Sequence, residues 1–176
     1  MSRIAAAFTL AASLLVPALS AQSSENLTAS VPACLPSSTL EQLTKALDDA
    51  VSGPADKDRA CLREVVLPDA RLIPLFRTPD GVYSPHTLTV DGWIDAVRKR
   101  GNTVFYERQV KVKTETYGHM AHLWSTYEIR PTPDAKATVR GINSIQAVFD
   151  GQRWRVAQIL WEAETPSETI PEKYLP

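Results

Sequence analysis

The chain has 176 residues, 44% hydrophobic, 7% aromatic and 22% charged, with 19 Lys and Arg against 20 Asp and Glu. That length suits one domain with a real core, and a formal net charge of −1 argues against a binder of nucleic acid or another polyanion, which needs a basic face. With 13 Pro, 7 Gly and 2 Cys, neither wholesale disorder nor a disulfide-dense or four-ligand zinc scaffold fits.

Residues 1–21 read as a secretory signal peptide. Arg3 supplies a positive start, Ile4 to Val16 an apolar run, Pro17 a break, and Ala18-Leu19-Ser20 a small-residue cleavage site. The apolar run is too short for a membrane span, which needs roughly 20 residues. Cleavage near Ser20 or Ala21 removes one Arg and no acid, which makes the remainder more acidic by one charge. The protein is then expected in the periplasm or outside the cell, with no membrane contact after cleavage. Residues 22–36 read as a flexible lead-in and 37–176 as a single α+β domain. An oxidising compartment lets Cys34 and Cys61 join, closing a loop worth roughly 3 kcal/mol in the chain-entropy model. The alternative is two unpaired thiols.

A first helix is expected from Ser38, where Ser38-Thr39-Leu40-Glu41 has capping-box spacing, with Leu40, Leu43, Leu47 and Val51 on its buried stripe. Gly53-Pro54 stops it. A second helix is expected from Asp56 to about Pro68. Residues 70–76 read as a strand, at a sheet edge because of Pro74. Thr78-Pro79-Asp80-Gly81 is a turn, and a short strand returns from Val82. A third helix, about 90–100, turns Trp93, Ile94 and Val97 inward, and its terminal Arg98-Lys99-Arg100 complement the helix dipole. Segments near 103–116, 119–130, 137–150 and 153–164 read as strands joined at Tyr117-Gly118, Pro131–Asp134 and Gly151-Gln152. Helices followed by an antiparallel meander predict helices covering one face of a sheet.

Period-two alternation assigns the faces. Pairing Thr116 with His119 sets Val112 against Leu123 and Arg108 against Tyr127. Pairing Phe149 with Trp154 sets Asn143 against Leu160 and Gly141 against Glu162. The helix-facing side then carries Tyr106, Arg108, Ser125, Tyr127, Asn143, Gln158 and Glu162, as a hydrogen-bond network or as the lining of a ligand cavity. Phe105, Glu107, Gln109, Lys111 and Lys113 fall on the solvent side of their strand. The outer face carries Trp124, Ile142, Val148, Ile159 and Trp161, an apolar stripe of the kind that mediates self-association, so a homodimer is expected.

Phe105-Tyr106-Glu107-Arg108, the run Ala121–Glu128, Arg140–Gln146, Asp150–Trp154 and the ending Ile170–Leu175 together resemble the exported bacterial branch, of unknown function, of the nuclear-transport-factor-2-like (SnoaL-like, ketosteroid-isomerase-like) superfamily. The resemblance covers about residues 38–176. It implies a cone-shaped, curved, mostly antiparallel sheet wrapped around three helices, the cystatin-like or SnoaL-like architecture, with a pocket at the wide end. The superfamily mixes isomerases, dehydratases, epoxide hydrolases and cyclases with binding-only members, so fold leaves function open. None of those catalytic sets maps residue by residue onto this chain. Glu162 is the candidate base, with Tyr127, Asn143 or Arg108 as oxyanion donors, although Arg108 on the same face would weaken such a base. His119 and His122 lie on opposite strand faces, so no metal site is expected, and no cofactor is implied. The leading expectation is an exported domain binding a small hydrophobic or weakly polar ligand. The alternatives are a cofactor-independent isomerase or lyase, and a structural or interaction protein whose cone is filled.

Overall fold

A computed structural model describes residues 33–176. The expected export segment and most of the 22–36 lead-in lie outside the described residues. Six strands form one sheet in the order β2-β1-β6-β5-β4-β3, curled around three helices. All neighbours run antiparallel except β1 and β6, which are parallel.

The N-cap of helix α1 (Leu40–Val51) is Thr39, one residue later than the expected Ser38. Its capping box is Thr39 with Gln42: the Gln42 N–H donates to the Thr39 hydroxyl at 3.1 Å, and the Gln42 side-chain oxygen accepts from the Thr39 N–H at 3.3 Å. Leu43, Leu47, Ala50 and Val51 are buried. Helix α2 is only Ala60–Val65, not a helix from Asp56 to Pro68. Arg59, just ahead of it, is 1% exposed and turns its guanidinium back onto the carbonyls of the preceding loop, which rules out a helical start at Asp56. At the other end Val66 is drawn into the sheet by pairing with Val156.

Strand β1 (Val66–Arg77) therefore starts earlier than expected. Pro74 is buried and lies one strand in from the edge; the edge is β2 (Tyr83–Pro85), which pairs only with Leu75 to Arg77. The Thr78–Gly81 turn forms, with Gly81 at φ 86°. Helix α3 (Val90–Arg98) is capped by Thr89 and buries Trp93, Ile94 and Val97, as its periodicity predicts. These face the sheet's inner residues Leu123, Ile145, Ala147, Val156 and Ile159, all buried. Each of the larger aliphatic side chains contributes roughly 1.5–3 kcal/mol of transfer free energy.

The remaining strands are β3 (Tyr106–Tyr117), β4 (Met120–Arg130), β5 (Val139–Phe149) and β6 (Trp154–Ala163). The β3–β4 turn sits at Gly118-His119, because Tyr117 pairs with Met120. That displaces the expected register by two, which preserves faces and sets Val112 against Ser125.

Two β-bulges do change faces. In β3 the register slips between Gln109 and Lys111, so Glu107 pairs with Ile129 and Gln109 with Tyr127. In β6 it slips opposite Gln146/Ala147, so Asn143 pairs with Trp161 and Ile142 with Glu162. One extra residue inverts everything on one side of it. Tyr106, Arg108, Gln158 and Glu162 therefore leave the helix-facing side, while Glu107, Gln109, Ile159 and Trp161 join it. Of the expected outer stripe, Trp124, Ile142 and Val148 remain outside.

Cys34 and Cys61 form a disulfide, tying the chain ahead of α1 to α2 across 27 residues. Replacing both with serine is expected to cost about 3 kcal/mol by urea denaturation. A loss below about 0.5 kcal/mol would mean that the bridge restrains little in the unfolded chain.

Candidate functional site

The site grows from the end of α1 and the start of β3. Gly53, at φ 113°, bridges to Phe105, and the Ser52 hydroxyl accepts the Glu107 N–H at 2.8 Å. These contacts fix β3 against the helix just before its bulge. Glu107 and Gln109 consequently point under the sheet, toward Ser125, Tyr127 and Asn143.

Gln109 is the hub. Its backbone N–H donates to Asp48 Oδ2 at 2.9 Å, and its side-chain amide donates at 3.0 Å both to Asp48 Oδ1 and to Glu107 Oε1. Its oxygen accepts from the Ser125 hydroxyl and from Asn143 Nδ2. Asn143 also donates to Glu107 Oε1 at 3.1 Å. Ser125, Tyr127 and Asn143 are 0%, 2% and 4% exposed. The buried network is thus closely satisfied at its centre.

Beside it lies a cavity of about 60 Å³. Glu107, Tyr127 and Asn143 supply its polar wall, and Leu47, Leu62, Trp93, Ile159 and Trp161 much of its apolar wall. It is far smaller than the roughly 300 Å³ of an ordinary ligand pocket. Glu107 also lines a recess of about 210 Å³ formed with Asp48, Ser52, Tyr106, Arg108 and Arg130.

The electrostatics follow from burial. The Glu107 residue as a whole is half-buried, but its carboxyl is enclosed, and burial, then the Asp48 charge, push its pKa up to about 7 against the hydrogen bonds of Asn143 and Gln109. Burial pushes Asp48 up to about 6, opposed by its bonds to Gln109 and by Arg108. Burial and the charges of Glu107 and Glu162 raise the Tyr127 phenol well above its ordinary value, so it stays a neutral donor. Its hydroxyl has no hydrogen-bond partner among the described residues. The set therefore comprises a carboxyl that titrates near neutrality, an unpartnered phenol and a carboxamide, all at one small apolar cavity. Such a set can hold a polar headgroup or move a proton.

Both carboxyls bind protons more tightly in the folded chain than in the unfolded one, where they titrate near 3.8 and 4.5. Their contribution to stability is complete below about pH 4 and is lost as pH rises through 6 and 7, by a few kcal/mol in all. The urea midpoint is expected to fall between pH 4.5 and 8, and Glu107→Gln should flatten that fall. An unchanged profile in the variant would refute the assignment.

Of the residues expected at the site, Ser125, Tyr127 and Asn143 come together. Tyr106 and Arg108 reach only the recess, and Arg108 is exposed. Gln158 and Glu162 lie on the other sheet face, with Glu162 opposite Ile142. Glu107, Gln109 and Asp48 are the residues that alternation missed. One signal pointed to them: Phe105, a large aromatic, shared their supposed solvent face. His122 bonds Ser144 on the outer face, and among the described residues no three His, Cys, Asp or Glu side chains cluster as metal ligands would.

No protein-family profile matches the sequence, nor does any curated protein. Solved structures do match. The S. rosetta CaMKII hub is 15% identical, with a TM-score of 0.54 over 76% of this chain and 100% of that one. An NTF2-like protein of unknown function from Pseudomonas putida KT2440 is 12% identical, with a TM-score of 0.53 over 78% and 94%. The β subunit of a putative aromatic-ring-hydroxylating dioxygenase from Novosphingobium aromaticivorans DSM 12444 is 14% identical, with a TM-score of 0.51 over 72% and 87%. With a curled six-stranded sheet around three helices and these neighbours, the fold of this chain is the NTF2-like fold.

Proposed function

We propose that the chain is an exported small-molecule-binding domain that takes the polar end of a compact hydrophobic ligand between Glu107, Asn143 and Tyr127. The carrying observation is the Tyr127 hydroxyl: its residue is 2% exposed, the hydroxyl makes no hydrogen bond among the described residues, and it opens on the same cavity as the Glu107 carboxyl. A ligand oxygen in the cavity would accept that free donor. About 60 Å³ admits only a very small ligand, its apolar part against Leu47, Leu62, Trp93 and Trp161. Thermal-shift screening against small ketones, phenols and carboxylic acids tests the reading. Hits are expected that raise the melting temperature of the wild type but not of Tyr127→Phe. If no member moves the wild-type transition, or if Tyr127→Phe responds equally, the reading fails.

A second reading, a cofactor-independent isomerase or lyase, is favoured by one observation: the Glu107 pKa of about 7 suits a general base. In that chemistry Glu107 accepts the proton, in place of Glu162, and Tyr127 donates to the developing oxyanion. Turnover with a bell-shaped or sigmoidal pH profile that vanishes in Glu107→Gln would establish it.

Export is supported by the Cys34–Cys61 disulfide, which belongs in an oxidising compartment. Self-association belongs to the same proposal. Tyr117, Met120 and Val148 adjoin at one end of the sheet and are 80%, 59% and 37% exposed, an apolar patch that a second copy would cover. Light scattering at tens of micromolar is expected to give twice the chain mass, and Val148→Glu should halve it. A monomeric wild type would count decisively against the dimer.

A further inference from the structure

A groove of about 330 Å³ lies on the outer face of the sheet and shares only Trp161 with the lining of the cone cavity. Its floor is Trp124, Ile142 and Leu160, and its wall is the segment that follows β6. That segment is tied down at several points. Ile170 is 8% exposed and its N–H donates to Glu164 at 3.0 Å; Thr126 donates to the Tyr174 carbonyl at 2.6 Å; the Tyr174 ring lies 5.9 Å from that of Trp124. The groove is therefore a built feature of the fold.

The charged side chains that line it carry one sign. The β6 bulge, by pairing Glu162 with Ile142, turns Glu162 into the groove, and Glu168 reaches it from the wall. Glu164, also on the rim, is neutralised by Arg140 at 2.7 Å. Glu162 and Glu168 have no cationic partner among the described residues. The Tyr83 hydroxyl donates to Glu168, which orients that carboxyl without cancelling its charge. Burial and the neighbouring Glu168 raise the Glu162 carboxyl above its ordinary range, the mark of two acids crowded together. The indole N–H of Trp124 is buried and unpartnered as well. A hydrocarbon floor under an uncompensated acid pair matches one ligand chemistry, a cation on an apolar body.

We propose that this groove binds a small organic amine, its ammonium between Glu162 and Glu168 and its hydrocarbon body on Trp124, Ile142 and Leu160. The volume is in the range of small-molecule sites, and charge-assisted hydrogen bonds supply the selectivity. An anion is repelled by the same acids, and a neutral analogue leaves them unpaired. The acids of this groove do not line the cone cavity, so the proposal does not need the cone to bind anything.

Calorimetric titration with 2-phenylethylamine, 2-phenylethanol and 3-phenylpropanoic acid tests it on the full chain. The amine is expected to bind about tenfold or more tightly than the alcohol, and the acid not at all. Glu162→Gln combined with Glu168→Gln should weaken the amine about tenfold or more, while Asp95→Asn, a surface acid on α3, leaves it unchanged. Methyl NMR shifts should fall on Ile142, Leu160 and Ile170. Equal affinity for amine and alcohol, undiminished binding in the double variant, shifts confined to Leu47 and Ile129 at the cone, or no binding of the amine at millimolar concentration would each overturn the proposal. If the double variant does not fold, the amine-to-alcohol ratio and the shift map of the wild type decide it.

Discussion

Replacing Gly141 with alanine is expected to destabilise the protein by about 3 kcal/mol, one of the two largest single-residue effects we foresee. The reason is a close approach, not an unusual backbone angle. A β-carbon on Gly141 would lie 2.2 Å from the Glu162 carbonyl oxygen and 2.4 Å from the Tyr127 hydroxyl oxygen. The first is sheet backbone and the second belongs to a ring 2% exposed, so neither can yield cheaply. Gly141 is the residue opposite Tyr127 in the β4–β5 ladder, and its missing side chain is the space in which the phenol reaches the cavity. Urea denaturation gives the loss directly, and ligand response in the cone should fall with it. A cost under about 0.5 kcal/mol would show that the Tyr127 ring has somewhere else to go.

Arg59→Met should cost about 3–5 kcal/mol, and Arg59→Lys should recover little of it. The guanidinium donates to the carbonyls of Val51, Pro54, Ala55 and Lys57 at 3.1–3.3 Å, and stands 5.7 Å over the Trp93 ring. Val51 ends α1, so the cation also meets the negative end of the helix dipole. No carboxylate pairs with Arg59 among the described residues; backbone carbonyls replace a counter-ion. Methionine removes the donors and leaves the carbonyls of Val51, Ala55 and Lys57 unmet, while that of Pro54 keeps the Lys57 N–H. Lysine has only three donors on a point charge and cannot span them. Melting and urea midpoints compare the three chains, and a lysine variant as stable as the wild type would refute the role.

Much of the architecture was legible because it rests on local chemistry. The helical stripe of Leu43, Leu47 and Val51, the inward trio Trp93, Ile94 and Val97, and the turn at Gly118 each follow from spacing that no distant contact needs to supply. The Cys34–Cys61 bridge followed from their being the sole pair, in sequence reach of two adjacent helices. The residues facing the cone were less legible. Ser125, Tyr127 and Asn143 were found because β4 and β5 pair without a slip from Met120 to Ile129. Tyr106, Arg108, Gln158 and Glu162 were misplaced because β3 and β6 each carry one extra residue, and neither bulge has a glycine or proline to announce it. The trace they left was compositional: Phe105 stood on a face assigned to solvent, and Ile159 and Trp161 on one assigned to self-association.

The sequence by itself determined most helices, strands and turns, the extent of α2 and the start of β1 excepted, since periodicity and turn chemistry act over a few residues. Only the tertiary structure decided which carboxylate faces the cone. A strand that must curl around helices takes up the curvature in a bulge, and the bulge exchanges Glu107 for Arg108 on one strand and Trp161 for Glu162 on the other. The same two slips that put an acid beside Tyr127 also put Glu162 into the outer groove, and the choice between them was made by packing, not by any residue near either site.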